Sequence, residues 1–333
     1  MTNPLHLTCA AWVSSAVALA ARLGIADLVA AQPRSVAELA AATGTSAPML
    51  ERLLRVLAAT GLFKRIDDGS YMNSPDSELL RDDHPHSVRH ICMLAGGEYY
   101  RAFGELAHTV ATGEPAFRHL FGTSIYEYME SHRETAETYD AAMEDLARPV
   151  GELLARAYDF GGVREVVDVG GGRGALLRAL LRAHPHLRGV SFDRADVCAR
   201  AVAEERLGFV AGDFFAGVPP DADLYILKNV LHNWSDDSAV AILRSIAASM
   251  NGGRLLVLEP LLGDGESSLP RLLDDLMQAV ISERGTAART EPEMRALLER
   301  ASLHVVSIDV LPTGHSVIVT EQARSTRSAT PPA

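Results

Sequence analysis

Apolar positions in the first half of the chain recur mostly at helical spacing. A run from Leu7 to Ala21 carries no charged side chain, and its pattern continues past Arg22 through Leu23, Ile25, Leu28 and Val29. At roughly 15 residues it is shorter than the ~20 that a bilayer crossing needs. No Lys or Arg precedes it as in a secretory signal, so it reads as a buried helix packing against a second subunit. Ser35 then caps a helix through Ala42, with Glu38 completing a capping box and Gly44 ending it. A second helix from Ser46 carries Leu50, Leu53, Leu54 and Leu57 on one face. Phe63-Lys64-Arg65 and Tyr71-Met72-Asn73 make a hairpin across Asp67-Asp68-Gly69, which completes the outline of a winged helix. From Pro85 to Leu146 further helices follow, with aromatics gathered at Tyr99 to Phe103 and Phe117 to Phe121.

The period then changes. Val166-Val167-Asp168-Val169 is a strand suited to burial on both faces. The run Gly170-Gly171-Gly172-Arg173-Gly174 lets backbone N–H groups approach a ligand, and Ala175 to Leu181 reads as the helix after it. Gly170, Gly172 and Ala175 also fit the G-x-G-x-x-G/A fingerprint, and a glycine turn here can equally be structural. Asp193 ends the next strand, where a carboxylate can accept both ribose hydroxyls. Asp213 ends a third segment, with Phe214 and Phe215 able to cover a flat base. The segment from Asp223 to Asp237 follows, containing Lys228, Leu231-His232-Asn233-Trp234 and Asp236-Asp237. This alternation of strands and helices implies an α/β domain with a mostly parallel sheet.

Composition narrows the partners. A chain of 333 residues with 47% hydrophobic content can bury one full α/β domain and a smaller one. Its net charge of −12 argues against nucleic acid. The winged-helix segment, residues 31–90, carries seven Lys or Arg against eight Asp or Glu, so it lacks the basic face of a DNA reader. Three cysteines, Cys9, Cys92 and Cys198, are too few for a disulfide framework or a zinc cluster and suit a reducing cytosol. Only Lys64 and Lys228 are lysines among the 31 basic residues, which draws attention to Lys228 in the motif segment.

The combination of D-x-G-G-G-x-G at Asp168–Gly174 with L-H-x-W-x-D-D at Leu231–Asp237 resembles the class I S-adenosylmethionine-dependent O-methyltransferases of small molecules. That group contains plant phenolic, acetylserotonin and actinobacterial antibiotic-tailoring enzymes. The resemblance runs from about Leu5 to about Thr320. It implies a mainly helical, winged-helix dimerisation domain over residues 1–100 and a helical linker lining the acceptor pocket over 101–150. It implies a Rossmann-like seven-stranded catalytic domain over 151–322, whose last strands, at Leu303 to Ile308 and Ser316 to Thr320, form an antiparallel edge. Residues 323–333, rich in Ser, Thr, Arg and Pro, read as a disordered tail. The implied protein is a cytoplasmic homodimer that uses S-adenosylmethionine without a metal, releases S-adenosylhomocysteine and has neither nucleic acid nor membrane as a partner.

Position by position, the resemblance implies that Asp168, Gly170 and Gly172 hold the methionine end and ribose, that Asp193 takes the ribose hydroxyls, that Asp213 and Phe214 take the adenine, and that Lys228 lies beside the cofactor. Tyr139-Asp140-Ala141-Ala142-Met143 matches an F-N-x-x-M element near the acceptor. Phe103, Tyr139, Met143 and Met277 are the implied acceptor wall. His232 matches the general base and Glu259, at the end of Leu255 to Leu258, one of the acids that orient it.

The second acid departs from the pattern. It should precede Arg-Thr, but the chain reads Thr286-Ala287-Ala288-Arg289-Thr290, with Ala288 in its place and Glu283 or Glu291 as substitutes. Asn233 stands where an Asp usually follows the histidine. An imidazole short of a carboxylate partner is less well oriented. The reading is therefore an O-methyltransferase for a small aromatic, secondary-metabolite hydroxyl, with His232 as base. The alternatives are a relative that uses the same cofactor for hydroxylation, decarboxylation or pericyclic chemistry and, in another class, a winged-helix regulator. An NAD-dependent oxidoreductase would leave the L-H-x-W segment without a role. The acceptor and the atom attacked are not legible.

Overall fold

The computed structural model describes residues 3–263 and 268–322, so the tail expected at 323–333 lies outside the described residues. The chain forms two compact units, one of residues up to 112 with 116–149, the other of 113–115 with 150 onward.

In the first unit the opening helix is longer than its charge-free run, spanning Pro4–Arg22, with Asn3 Oδ1 accepting from Leu5 N at 2.9 Å. At 19 residues it is long and apolar enough to cross a membrane by length and composition, which corrects the length argument made from the sequence. Burial is confined to its second half, at Ala18, Ala20 and Ala21, while Leu5 and Trp12 are 64% and 69% exposed. Its partner is the helix Arg89–Ala95. At the end of that helix a Cβ on Gly96 would lie 2.1 Å from the Ala18 Cβ, so only glycine permits this approach. The capping box forms as expected, with Ser35 N and Oγ donating to Glu38 Oε2 at 2.8 and 2.6 Å. Helices Val36–Thr43 and Ala47–Ala59 and the antiparallel pair β1 (Phe63–Arg65) and β2 (Tyr71–Asn73) enclose Leu39, Leu54, Leu57, Phe63 and Tyr71.

The second unit holds β3 (Glu165–Val169), β4 (Arg188–Asp193), β5 (Leu207–Ala211), β6 (Leu224–Lys228), β7 (Arg254–Glu259), β8 (Leu303–Val310) and β9 (Ser316–Gln322). Their order is β5-β4-β3-β6-β7-β9-β8; the first five are parallel, and β9 runs antiparallel between β7 and β8. Strands Val166–Val169 and Leu224–Leu227 are buried throughout, which is why both read as unbroken apolar runs. β4 follows β3 to one side and β6 lies on the other, so the order reverses at β3. Such a switch point opens a crevice beyond the strand carboxyl ends. Asp168, Asp193, Lys228 and Glu259 all sit at or next to those ends.

Candidate active site

The turn after β3 is built for backbone approach. Gly170, Gly172 and Gly174 have φ of 73°, 57° and 83°, a region that side chains other than glycine rarely adopt. At Gly171 the limit is space, because a Cβ would meet Ser191 Oγ at 2.6 Å and Asp168 Cγ at 2.7 Å. Gly172 N donates to Asp193 Oδ2 at 2.8 Å and Arg194 N to Asp193 Oδ1 at 2.7 Å, so the carboxylate at the end of β4 is held on both oxygens. A carboxylate oxygen can accept more than one hydrogen bond. A close-packed glycine cradle beside a tethered carboxylate fits a nucleoside cofactor.

Asp168 and Lys228 lie near the carboxyl ends of β3 and β6, the neighbouring strands at the switch point. Burial pushes the Asp168 carboxyl up to about 7, with Lys228 opposing and Asp193 adding to the rise. Burial likewise pulls the Lys228 ammonium down to about 8, against the nearby Asp168 and Glu259 charges. Further round, Asp213 Oδ1 accepts from Phe215 N at 2.9 Å, and the Phe214 and Phe215 rings stand edge-on to Trp234 at 5.7 and 5.0 Å.

His232 lies in a short 3-10 turn, Leu231–Asn233, not in the α-helix Asp236–Ser249 that follows. Its Nδ1 is 3.0 Å from Oε2 of the buried Glu259, whose Oε1 accepts from Leu231 N at 2.8 Å. Burial alone would depress the imidazole, but the Glu259 charge and contact outweigh it and the pKa of His232 is raised. Glu259 moves the other way: burial opposes its charge, and His232, the Leu231 N–H and Arg289 together hold it below its ordinary value. Arg289, itself buried, donates to Leu231 O and Trp234 O at 2.7 Å each and to Asp236 Oδ1 at 3.0 Å. It clamps the turn that carries the histidine.

Neither proposed substitute acid comes to the imidazole. Glu283 accepts from Ser235 N at 2.8 Å and Ser238 Oγ at 3.1 Å, capping the helix Asp236–Ser249. Glu291, half exposed, accepts from Arg295 Nε at 2.8 Å. The acid that does arrive is Asp274, from the helix Leu269–Ile281; it shares a cavity wall with His232, Glu259 and Ala288. The adjacent pair Asp274-Asp275 among the leucines of this helix was the available signal in the sequence. Asn233 keeps a local role, with Nδ2 donating to Asn229 O at 3.3 Å.

Phe103 ends the helix Glu98–Phe103, and Tyr139 and Met143 lie one turn apart in the helix Arg133–Ala157; all three are half-buried within the first unit. Met277, also half-buried, belongs to the second, one turn beyond Asp274. The aromatics at 117–121 pack into their own core, Phe117 against Phe121 at 4.5 Å and Tyr128 at 5.5 Å.

Known proteins resemble the chain over most of its length. Residues 103–304 match the O-methyltransferase domain and residues 5–83 the O-methyltransferase dimerisation domain. The chain is 38% identical over 325 residues to a phenazine O-methyltransferase, PhzM, of Lysobacter antibioticus, covering 95% of this chain and 94% of that protein. It is 32% identical to a phenazine-1-carboxylate N-methyltransferase of Pseudomonas aeruginosa, covering 96% and 97%. The O-methyltransferase NcsB1 from neocarzinostatin biosynthesis, solved with S-adenosylmethionine and 2-hydroxy-5-methyl naphthoic acid, superposes with a TM-score of 0.77 at 36% identity, covering 93% of this chain and 95% of that one. The chain belongs to the O-methyltransferase family and is an S-adenosylmethionine-dependent methyltransferase with an N-terminal dimerisation domain.

Proposed function

We propose that the protein methylates a hydroxyl on a small aromatic secondary metabolite, with His232 as general base. The observation that carries this reading is the His232–Glu259 pair at 3.0 Å, fixed by the Leu231 N–H and the Arg289 clamp. The carboxylate beside Nδ1 favours the tautomer with the proton on that nitrogen, leaving Nε2 to take the acceptor's proton. When bound, S-adenosylmethionine supplies a methyl group on a sulfonium, an activated leaving group. The acceptor oxygen gains the methyl as its proton passes to His232. Glu259 stabilises the imidazolium that results, and positioned base catalysis of this kind contributes about 10²- to 10⁴-fold.

Asp193 and the Gly170–Gly174 turn support the cofactor's ribose and methionine end, Asp213 and Phe214 its adenine, and Lys228 its flank. Phe103, Tyr139, Met143 and Met277 are the proposed acceptor contacts. The test is mass spectrometry with S-adenosylmethionine and a panel of hydroxylated aromatics. A product heavier by one methylene together with S-adenosylhomocysteine supports the reading. An acceptor altered without S-adenosylhomocysteine sinks it and favours the non-methylating alternative.

A nitrogen acceptor is the second reading, suggested by the N-methyltransferase relative. A neutral ring nitrogen has no proton to lose, so its methylation would survive His232→Ala, whereas hydroxyl methylation would not. The homodimer is proposed from the dimerisation domain, and light scattering of the purified chain tests it.

A further inference from the structure

One carboxylate, that of Glu259, lies 3.0 Å from Nδ1 of His232, and Ala288 offers none where the family pattern places a second. The space beside it is a cavity of about 10 Å³, room for a single water. His232, Glu259, Asp274, Gln278 and Ala288 bound it. Asp275 sets the position of the Ala288 wall, its Oδ1 accepting from Ala288 N at 2.6 Å. Glu259 is 2% exposed, and its Oε2, although 3.0 Å from Nδ1, completes no well-aligned hydrogen bond among the described residues. A polar space of this size, with a buried acceptor and a second carboxyl on its walls, suits a bridging water.

We propose that Asp274 is the second acid of the His232 network, acting across this one-water space from the helix Leu269–Ile281 in place of a longer side chain at position 288. The inference rests on reading His232 as the base, and it makes Asp274 a positioning residue that stabilises the imidazolium without taking the acceptor's proton. The charged and titratable groups around the imidazole are Glu259 on β7, Lys228 on β6, His315 in the turn between β8 and β9, and Asp274, with Arg289 beside Glu259. Asp274 raises the proton affinity of His232, and burial holds its own carboxyl above the ordinary range.

The test is an NMR titration of the His232 imidazole in the full-length protein saturated with S-adenosylhomocysteine. In Asp274→Asn the midpoint should fall by about one pH unit, with unchanged affinity for S-adenosylhomocysteine, and Asp274→Glu should keep the wild-type midpoint. An unmoved midpoint in Asp274→Asn overturns the proposal, and Asp274→Ser repeats the test if the amide variant does not fold. A shifted midpoint combined with wild-type turnover in His232→Ala would remove the base reading while leaving the coupling between Asp274 and the imidazole standing.

Discussion

The guanidinium of Arg289 donates to the backbone carbonyl of Leu231 at 2.7 Å, although 58 positions separate them in the chain. That bond, with those to Trp234 O and Asp236, ties the loop before the helix Glu291–Arg300 to the turn bearing His232. Lysine cannot reproduce a planar fork that serves three acceptors. Arg289→Lys should therefore lower kcat by about 10-fold or more and cost ~1–3 kcal/mol of stability through unsatisfied buried carbonyls. Cofactor affinity should change little. Denaturant unfolding and steady-state kinetics check both.

Activity should fall on the acid side of a midpoint that lies above the ordinary imidazole value. The sign follows from the raised pKa of His232: the base must be neutral to accept a proton, so acid removes it, and the Glu259 charge makes it protonate earlier as pH falls. Glu259→Gln removes that charge and should shift the acid limb of kcat/KM to lower pH, while lowering the plateau. A limb that stays in place would show that a different group controls it.

Gly171→Ala tests the cradle. The new Cβ would sit 2.6 Å from Ser191 Oγ and 2.7 Å from Asp168 Cγ, closer than real Cβ contacts. Relief requires the turn or the Asp168 carboxyl to move, at a cost of ~1–3 kcal/mol. Calorimetry should find S-adenosylhomocysteine binding weakened at least 10-fold, and unfolding should show the lost stability.

Asp193→Ala should weaken cofactor binding by about 10- to 100-fold, since two charge-assisted hydrogen bonds to the ribose diol are worth roughly 1.5–3 kcal/mol each before compensation by water. Asp193→Asn should fall between the two, because the amide keeps one acceptor oxygen. Unchanged affinity in the alanine variant would remove the ribose assignment.

The strand-turn-helix at Val166–Leu181 was legible because burial on both faces and positive φ leave marks in residue type, as β-branched runs and glycines. The capping box at Ser35 and Glu38 was legible for the same reason: both partners lie within one turn. Asp274 and the Arg289 clamp were not, because their partners are brought together by folding across tens of residues. A sequence shows Ala288 without an acid, yet not that a neighbouring helix delivers one to the same cavity. The 3-10 turn at His232 was also beyond reach, since its geometry depends on Arg289 holding the carbonyls of Leu231 and Trp234.

Asp193 is tethered by the amides of Gly172 and Arg194. On the proposed assignment, a cradle held in this way would meet the cofactor at its ribose and through backbone amides, away from the methyl group on sulfur. Spent and fresh cofactor would compete for the same contacts. The rate in a cell would then follow the ratio of the two forms more closely than the amount of either, and the enzyme would depend on whatever clears the demethylated product.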